Sequence, residues 1–310
     1  MTPAIGFAGV STATTDPLPD GPVVLAVDIG GTKMAAAVVD DAGTLLSRAR
    51  TPTPHDLSAE VVFEALASVV DQALAGTHAR PVACGVGCGG PMAGGGDTVS
   101  PLNIPGWRDF PLRQRLADRV KLPIRVDNDA KALALGEGWL GAAAGCQDFL
   151  AMVVSTGVGA GIVLDGRLLD GAQGNAGHIG HIIVEPDGRR CPCGAQGCLE
   201  AETSGTAIEA VTGQPAAKAD EVVRRRTGTL VGRAVASVAN LLDLRLAVVA
   251  GSVALGFGQP FFEAAQAELD ARARIVFARG ARIVPGGLGS DGPLVGAAAL
   301  GRRALDLVIQ

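Results

Sequence analysis

The chain has 310 residues, of which 48% are hydrophobic and 18% charged, and this predicts one large domain or two smaller ones that share a cleft. Its net charge of −5 excludes a basic surface for nucleic acid or anionic membrane, and no apolar run reaches the ~18–20 residues that a membrane helix needs. Residues 1–20 lack the pattern of a secretory signal, so we expect a reducing, cytoplasmic location, where clustered cysteines bind metals rather than form disulfides.

Predicted strands and helices alternate along the chain after a small, polar segment at 1–21, which we expect to be a disordered leader. The first half has predicted strands at 23–30, 35–40, 82–87 and 122–129, a further strand after a turn at 41–43, and helices at 58–75, 111–120 and 130–141. The second half has predicted strands at 148–156, 160–166, 244–251 and 281–286, with helices within 201–240 and at 261–274 and 294–305. This repeated order predicts two α/β lobes, which we place at 22–128 and 129–293, with 294–310 closing onto the first lobe.

A glycine-rich turn, DIGGTK (28–33), follows the first predicted strand. Its adjacent glycines can expose backbone N–H groups that bind phosphate oxygens. The Asp28 carboxylate can hold Mg²⁺ through water, because Mg²⁺ prefers few carboxylates and several waters. For this hexapeptide alone, a plain hairpin turn is the alternative.

Two glycine-rich segments occupy corresponding places in the second half. STGVGAG (155–161) lies at a matching turn, so the two turns can face each other and bind a triphosphate from both sides. AGS (250–252) follows a buried strand and can let an adenine ring approach the backbone. By contrast, GVGCGG (85–90) resembles a dinucleotide-binding pattern, but Pro91 follows it where such a site needs a helix.

The strand predicted at 122–129 ends in three polar residues, Asp127, Asn128 and Asp129. Ligands of open α/β sheets bind at such carboxyl ends of strands. A carboxylate there can accept the proton of a substrate hydroxyl as the hydroxyl attacks a γ-phosphate, and Asn128 can bond sugar hydroxyls. The tripeptide alone fits a helix N-cap equally well.

The segment 177–200 contains two of the four histidines and three of the six cysteines. The segment offers four possible metal ligands: His181, Cys191, Cys193 and Cys198. A set of one imidazole and three thiolates suits tetrahedral Zn²⁺. Because this set leaves no open position, we expect a structural zinc. A hydrolytic zinc site on His178 and His181 is the alternative, and the three thiolates argue against it.

With these motifs, the chain resembles the sugar kinases of the ROK (repressor, open reading frame, kinase) family over roughly residues 23–305. The resemblance is carried by DIGGTK (28–33), GCGGP (87–91), DNDA (127–130), STGVGAG (155–161), GHIGH (177–181), CPCGAQGCLE (191–200) and AGS (250–252). It implies an actin-like, ribonuclease-H-like ATPase fold, with two α/β lobes around a cleft that closes on ATP and sugar. It also implies a homodimer that uses ATP, Mg²⁺ and a structural Zn²⁺.

The resemblance assigns roles to individual residues. Asp129 is the implied general base for the sugar 6-hydroxyl, and the implied sugar contacts are Gly90, Asn103, Asn128, His178, His181 and Glu200. The implied ATP-binding residues are Asp28, Gly30, Gly31, Thr32, Lys33, Thr156, Gly157, Val158, Gly159, Gly161 and Gly251. The implied zinc ligands are His181, Cys191, Cys193 and Cys198.

Two positions depart from the family pattern. Glucokinases of the family usually have a Glu that bonds the sugar C1 and C2 hydroxyls where this chain has His178. A neutral imidazole, with one donor and one acceptor, suits a C2 substituent other than an equatorial hydroxyl. GHIGH resembles the N-acetylmannosamine kinases of sialic acid breakdown, which implies that substrate; glucose is the alternative if His178 only packs behind the zinc loop. Lys131, the second departure, is expected to face solvent on its helix, with a position near the rim of the cleft as the alternative.

The family also includes sugar-responsive transcriptional repressors, which carry an N-terminal helix-turn-helix module. About 22 residues precede the first predicted strand, too few for a three-helix DNA reader. The expected partners are therefore a small-molecule sugar and ATP, rather than nucleic acid or membrane.

Overall fold

A computed structural model describes residues 21–55 and 58–306, so the predicted leader, apart from Gly21, and the end of segment 294–310 lie outside the described residues. The first part contains β1 (Val23–Ile29), β2 (Lys33–Val39), β3 (Leu45–Pro52), α1 (Ala59–Ala75), β4 (Pro81–Cys88), β5 (Met92–Ala93), β6 (Thr98–Val99), α2 (Leu112–Val120), β7 (Ile124–Asn128) and α3 (Asp129–Leu140). The second part contains β8 (Phe149–Val154), β9 (Val158–Leu164), β10 (Arg167–Leu168), α4 (Leu199–Thr203), α5 (Gly205–Thr212), α6 (Glu221–Leu242), β11 (Leu246–Ala250), α7 (Ser252–Phe257), α8 (Gln259–Arg272), β12 (Arg282–Pro285) and α9 (Gly292–Asp306).

The described residues form two five-stranded sheets built on one plan. The strand orders are β3-β2-β1-β4-β7 and β10-β9-β8-β11-β12. In each sheet the first three strands of this order pair antiparallel. The fourth strand pairs parallel to the third, and the fifth pairs parallel to the fourth. The predicted α/β class with two lobes is therefore confirmed, and each predicted strand and long helix is found within a few residues of its expected bounds.

The central strands are apolar along nearly their whole length because helices cover both faces of each sheet. One face of the first sheet packs on α1 and α2 around residues such as Phe63, Leu66 and Leu116. The other face packs on α9, through Leu294 and Ala297. In the second sheet, α6 and α8 build the larger core.

Helices α3 and α9 cross where both have glycine. A Cβ added to Gly136 would lie 2.9 Å from the backbone of Gly296, so only glycine permits this close approach. The start of α3 lies between the two sheets: a Cβ at Gly87 of β4 would lie 3.6 Å from Asp129, and one at Gly159 of β9 would lie 3.1 Å from Ala130. None of the described helices is both long and apolar enough to cross a membrane.

Candidate active site

Three parallel strands bring polar residues to one edge of the first sheet. The pairing aligns Asp28 of β1 with Gly87 of β4, and Gly87 with Asp127 of β7. Asn128 ends β7, and its side-chain oxygen accepts a hydrogen bond from the N–H of Ala130 at 3.0 Å. The tripeptide 127–129 is therefore a helix N-cap that also presents Asp129 at the edge of the sheet.

The carboxylates of Asp28 and Asp129 influence each other. The Asp129 residue has exposed surface, but the surrounding protein desolvates its carboxyl, and this raises the pKa above the usual value. Asp28 is only 9% exposed, and burial raises its pKa to about 7, with a further contribution from the Asp129 charge. A carboxylate with a raised pKa is a stronger base, and a neighbouring cation can offset the repulsion between the two groups.

The raised pKa of Asp28 predicts a pH-dependent stability in Mg²⁺-free buffer. The folded value is about 7, whereas an unfolded aspartate titrates near ~3.9, so between these values the folded state binds more protons. Stability from this group is therefore present at low pH and is lost as the pH rises through that window. Asp28→Asn stays uncharged, so we expect the melting temperature of the wild type to fall relative to that variant between about pH 4 and 7. A constant difference across this range would contradict the assignment.

Three of the predicted sugar contacts meet around Gly90. A Cβ at Gly90 would lie 3.6 Å from the amide nitrogen of Asn128 and 3.9 Å from the ring of His178. Glycine therefore leaves a space between these two side chains. Asn103 lies against Gly31, where any Cβ would overlap the Asn103 side chain, so this predicted sugar contact touches the first glycine-rich turn.

His178 lies directly before a short 3₁₀ turn, Ile179–His181, which carries the predicted metal ligand. The two imidazole rings are 6.1 Å apart between centroids. Partial burial and the proximity of His181 hold the pKa of His178 below its usual value, so its ring is neutral at pH 7. A neutral ring can donate one hydrogen bond and accept another.

The four predicted metal ligands converge. Their ligand atoms all lie within 4.8 Å of one another, in a set formed by His181, Cys191, Cys193 and Cys198. Cys193 Sγ and Cys198 Sγ are 3.7 Å apart, as are Cys191 Sγ and His181 Nδ1. Two thiolates bound tetrahedrally at ~2.3 Å lie about 3.8 Å apart, so the donor types and their spacing fit Zn²⁺.

Ion pairs of Glu202 in α4 link the cysteine-rich loop, which lies within segment 177–200, to α6. The Glu202 carboxylate, whose side chain is 1% exposed, pairs with Arg189 of the loop at 2.9 Å and with Arg226 of α6 at 2.6 Å. It also accepts a hydrogen bond from the backbone N–H of Arg189. No local pattern predicts the burial of Glu202, because a glutamate in a short amphipathic segment carries no signal that it is buried.

Glu200 joins the cysteine-rich loop to the second glycine-rich turn. Its carboxylate accepts a hydrogen bond from the N–H of Val158 at 2.8 Å. That N–H is thus engaged within the protein, and Gly159 and Gly161 belong to β9, where they pair with β8. The turn itself is limited to 155–157, where the side-chain oxygens of Ser155 and Ser252 lie 2.9 Å apart and so tie it to the AGS segment.

The first glycine-rich turn is held by Thr53, the residue that follows β3. Thr53 donates its hydroxyl to the carbonyl of Gly30 at 2.6 Å, and its N–H to the carbonyl of Thr32 at 3.0 Å. The side chains of Thr32 and Lys33 are exposed. The turn is thus fixed from behind, while its polar side chains remain available to a ligand.

The expectation that Lys131 faces solvent is wrong. Lys131 is 1% exposed, and its ammonium lies 2.9 Å from a carboxylate oxygen of Asp127 and 2.8 Å from one of Asp170. Asp127 belongs to β7 and Lys131 to α3, so the pairing rule for charges four residues apart within one helix does not predict this contact.

Known proteins share this architecture. The ROK family model matches residues 24–304. The N-acetylmannosamine kinase of Citrobacter koseri is 38% identical over 249 residues, which is 76% of this chain and 84% of that protein. The glucokinase of Halalkalibacterium halodurans is 42% identical over 187 residues, 59% of this chain but only 56% of that protein's length. A ROK family glucokinase from Streptomyces griseus, solved with glucose and AMPPNP, gives a TM-score of 0.79 at 31% identity, covering 91% of this chain and 99% of that one.

Proposed function

Because the chain belongs to the ROK family, we propose that it is a kinase that transfers the γ-phosphate of ATP to the 6-hydroxyl of N-acetyl-D-mannosamine. The choice of sugar depends on one observation: His178, a neutral imidazole, borders the same space as Asn128 and Gly90. The similarity to N-acetylmannosamine kinases over 76% of the chain supports this choice.

Asp129 is the proposed general base. Its carboxylate accepts the proton of the sugar 6-hydroxyl while that oxygen forms a bond to the γ-phosphorus and the bond between the phosphorus and the β–γ bridging oxygen breaks. ADP leaves with the bridging oxygen. The raised pKa of Asp129 favours proton acceptance, and its place at the start of α3 gives it a fixed direction.

The two glycine-rich turns are the proposed binding site for the ATP phosphates. The N–H groups of Gly30 and Ser155 bond carbonyls within their own turns, so the backbone N–H groups of residues 31–32 and 156–157 are the ones that can bind phosphate oxygens. The exposed Lys33 can add a positive charge. Asp28 is the residue that would hold Mg²⁺, which neutralises phosphate charge when bound. Since the transfer needs little covalent assistance from the protein, position and charge account for most of the catalysis.

The cysteine-rich loop is the proposed scaffold of the sugar site. His181, Cys191, Cys193 and Cys198 would hold a structural Zn²⁺, and His178 lies three residues before the first of these ligands. Glu200 lies two residues after Cys198, the last of these ligands in the sequence. Its carboxylate accepts a hydrogen bond from the N–H of Val158. A zinc-fixed loop would therefore set the positions of His178 and Glu200 together.

The substitution His178→Glu is expected to shift preference from N-acetylmannosamine towards glucose. A carboxylate can accept bonds from two sugar hydroxyls, whereas it repels the acetamido carbonyl that a donating imidazole can bind. We expect the ratio of kcat/KM values for the two sugars to change by about tenfold or more in favour of glucose. His78→Glu, on a surface turn before β4, is the control and should leave this ratio unchanged. An unchanged ratio in His178→Glu would reduce His178 to a packing role.

A glucokinase is the second candidate, because the glucokinase match has the higher identity over its shorter alignment. The direct test of the main proposal is to incubate the protein with ATP, Mg²⁺ and N-acetylmannosamine and to locate phosphate in the product by ³¹P and ¹H NMR. We expect phosphate on carbon 6. Phosphorylation of glucose with no reaction of N-acetylmannosamine would establish the second candidate instead.

A further inference from the structure

A buried lysine connects the end of β7, next to Asn128, to the loop that precedes His178. The ammonium of Lys131 contacts a carboxylate oxygen of Asp127 at 2.9 Å, a carboxylate oxygen of Asp170 at 2.8 Å and the carbonyl of Gly174 at 3.1 Å. Two of the three ammonium donors are used in hydrogen bonds to Asp170 and Gly174, and the Asp127 carboxylate adds an ion pair. The group is therefore a fixed junction rather than a mobile charge.

The first arm of this junction reaches the proposed catalytic residues. The Asp127 carboxylate that binds Lys131 also accepts a hydrogen bond from the N–H of Asn128 at 2.8 Å. Asn128 in turn caps α3 through Ala130, and Asp129 lies between these two residues. A shift of the Lys131 ammonium would therefore be transmitted to the segment that presents Asn128 and Asp129.

The second set of contacts joins Lys131 to the loop that contains Asp170 and Gly174. Asp170 and Gly174 belong to a loop in which the N–H of Ala176 donates to the carbonyl of Asp170 at 2.9 Å. Asn175 then spans to β5, where its side chain bonds both the N–H and the carbonyl of Met92, at 3.5 and 3.3 Å. Met92 lies two residues after Gly90 in the chain, and His178 lies three residues after Asn175.

We propose that Lys131 is a positioning residue that sets the width of the sugar site. It holds the end of β7 and the 170–175 loop at a fixed separation, so that Asn128, His178 and Gly90 enclose the sugar between them. The inference rests on the sugar-kinase activity proposed above, but it does not depend on which hexose is the substrate.

A purely structural role for Lys131 makes a different prediction. Burying an ion pair contributes little net stability, because desolvation offsets most of the attraction, whereas removing one partner leaves an uncompensated charge. If Lys131 only filled the core, its loss would lower stability and affect sugar and ATP kinetics alike. If it sets the sugar site, the sugar KM should change selectively.

Asp170→Ala separates these two roles. The Asp170 side chain is 53% exposed, so its removal leaves Lys131 paired with Asp127 and creates no buried lone charge. We expect the KM for the sugar to rise about tenfold, the effect of losing one charge-assisted hydrogen bond. The KM for ATP, kcat and the melting temperature should stay near the wild-type values. Asp170→Asn, which retains an acceptor oxygen, should recover part of the loss.

Glu263→Ala is the matched control. Glu263 is also an acid of the second half of the chain, its side chain is 50% exposed, and it pairs with Arg225 at 3.5 Å. It should leave the sugar KM unchanged. In addition, Lys131→Met should raise the sugar KM, and combining it with Asp170→Ala should raise it little further, because both changes break the same link.

Two results would overturn the proposed role of Lys131. One is an unchanged sugar KM in Asp170→Ala. The other is an equal rise in the KM values for sugar and ATP together with a lower melting temperature. The variants are measured with the sugar that the wild type turns over fastest. A wild type that prefers glucose would contradict only the proposed substrate, and the test would proceed with glucose. A wild type that phosphorylates no hexose would overturn both proposals.

Discussion

Asp129→Asn is expected to lower kcat by about 10²–10⁴-fold while leaving the fold intact, since this is the usual effect of losing a general base. The fold should survive because Asp129 accepts a hydrogen bond from the N–H of Ala130 at 2.8 Å, and an asparagine oxygen can accept the same bond. The measurement is a coupled assay of ADP release at saturating sugar and ATP, together with a thermal melt.

The control for Asp129→Asn is Asp220→Asn. Asp220 also lies at the start of a helix, where its carboxylate accepts a hydrogen bond from the N–H of Val223 at 2.9 Å. The control variant should keep wild-type turnover, which separates loss of the base from any general effect of an Asp-to-Asn change at a helix start. Near-normal turnover in Asp129→Asn would mean that another group accepts the proton.

Cys193→Ser is expected to release zinc and to lower both stability and sugar affinity. Zinc binding releases about 10–16 kcal/mol in zinc-finger peptides, so weakening the site removes a large contribution to loop order. A loss of only a few kcal/mol would lower the melting temperature by roughly 5–10 °C in a protein of this size. Cys193 is exposed, so the serine itself should be tolerated sterically, and any loss is attributable to the metal.

The measurement for Cys193→Ser is elemental analysis for zinc, followed by a thermal melt and the sugar KM. Cys146→Ser is the matched control, because Cys146 is also an exposed free cysteine but lies outside the ligand set. The control should retain zinc and the wild-type KM. If Cys193→Ser bound as much zinc as the wild type, the ligand assignment would be wrong.

The sequence predicted the fold class because the local signals agreed with the global arrangement. Alternating apolar strands and amphipathic helices occur in the same order in both halves, and the two sheets repeat that order with the same pairing. The convergence of the four metal ligands was also predictable, since three thiols and an imidazole in one short segment have few other uses in a reducing compartment.

The features that the sequence did not predict depend on contacts between residues that are far apart in the chain. Nothing local indicates that Glu202 binds Arg226, or that Asn175 contacts Met92, because these partners meet only after both sheets have formed. Lys131 was misassigned for a related reason. A charged residue on a helix is usually solvated, and its partner Asp170 lies 39 residues away in sequence.

The structure also differs from the prediction in where β9 begins. The strands predicted at 148–156 and 160–166 leave residues 157–159 as the turn, whereas β8 ends at Val154 and β9 begins at Val158. Glycine-rich sequence normally disfavours strands, but Gly161 lies against the backbone of α3, where a side chain would clash with Lys131. Tertiary packing therefore outweighs local propensity here, and the turn lies two residues earlier than predicted, at 155–157.

The central claim is the identity of the sugar, and the ratio of kcat/KM for N-acetylmannosamine to that for glucose tests it most directly. The assay couples ADP release to NADH oxidation at fixed ATP and Mg²⁺, with mannose and N-acetylglucosamine as further sugars. We predict a preference of at least about tenfold for N-acetylmannosamine, set by the group that His178 contacts at carbon 2. Turnover of glucose far above that of N-acetylmannosamine would contradict the claim.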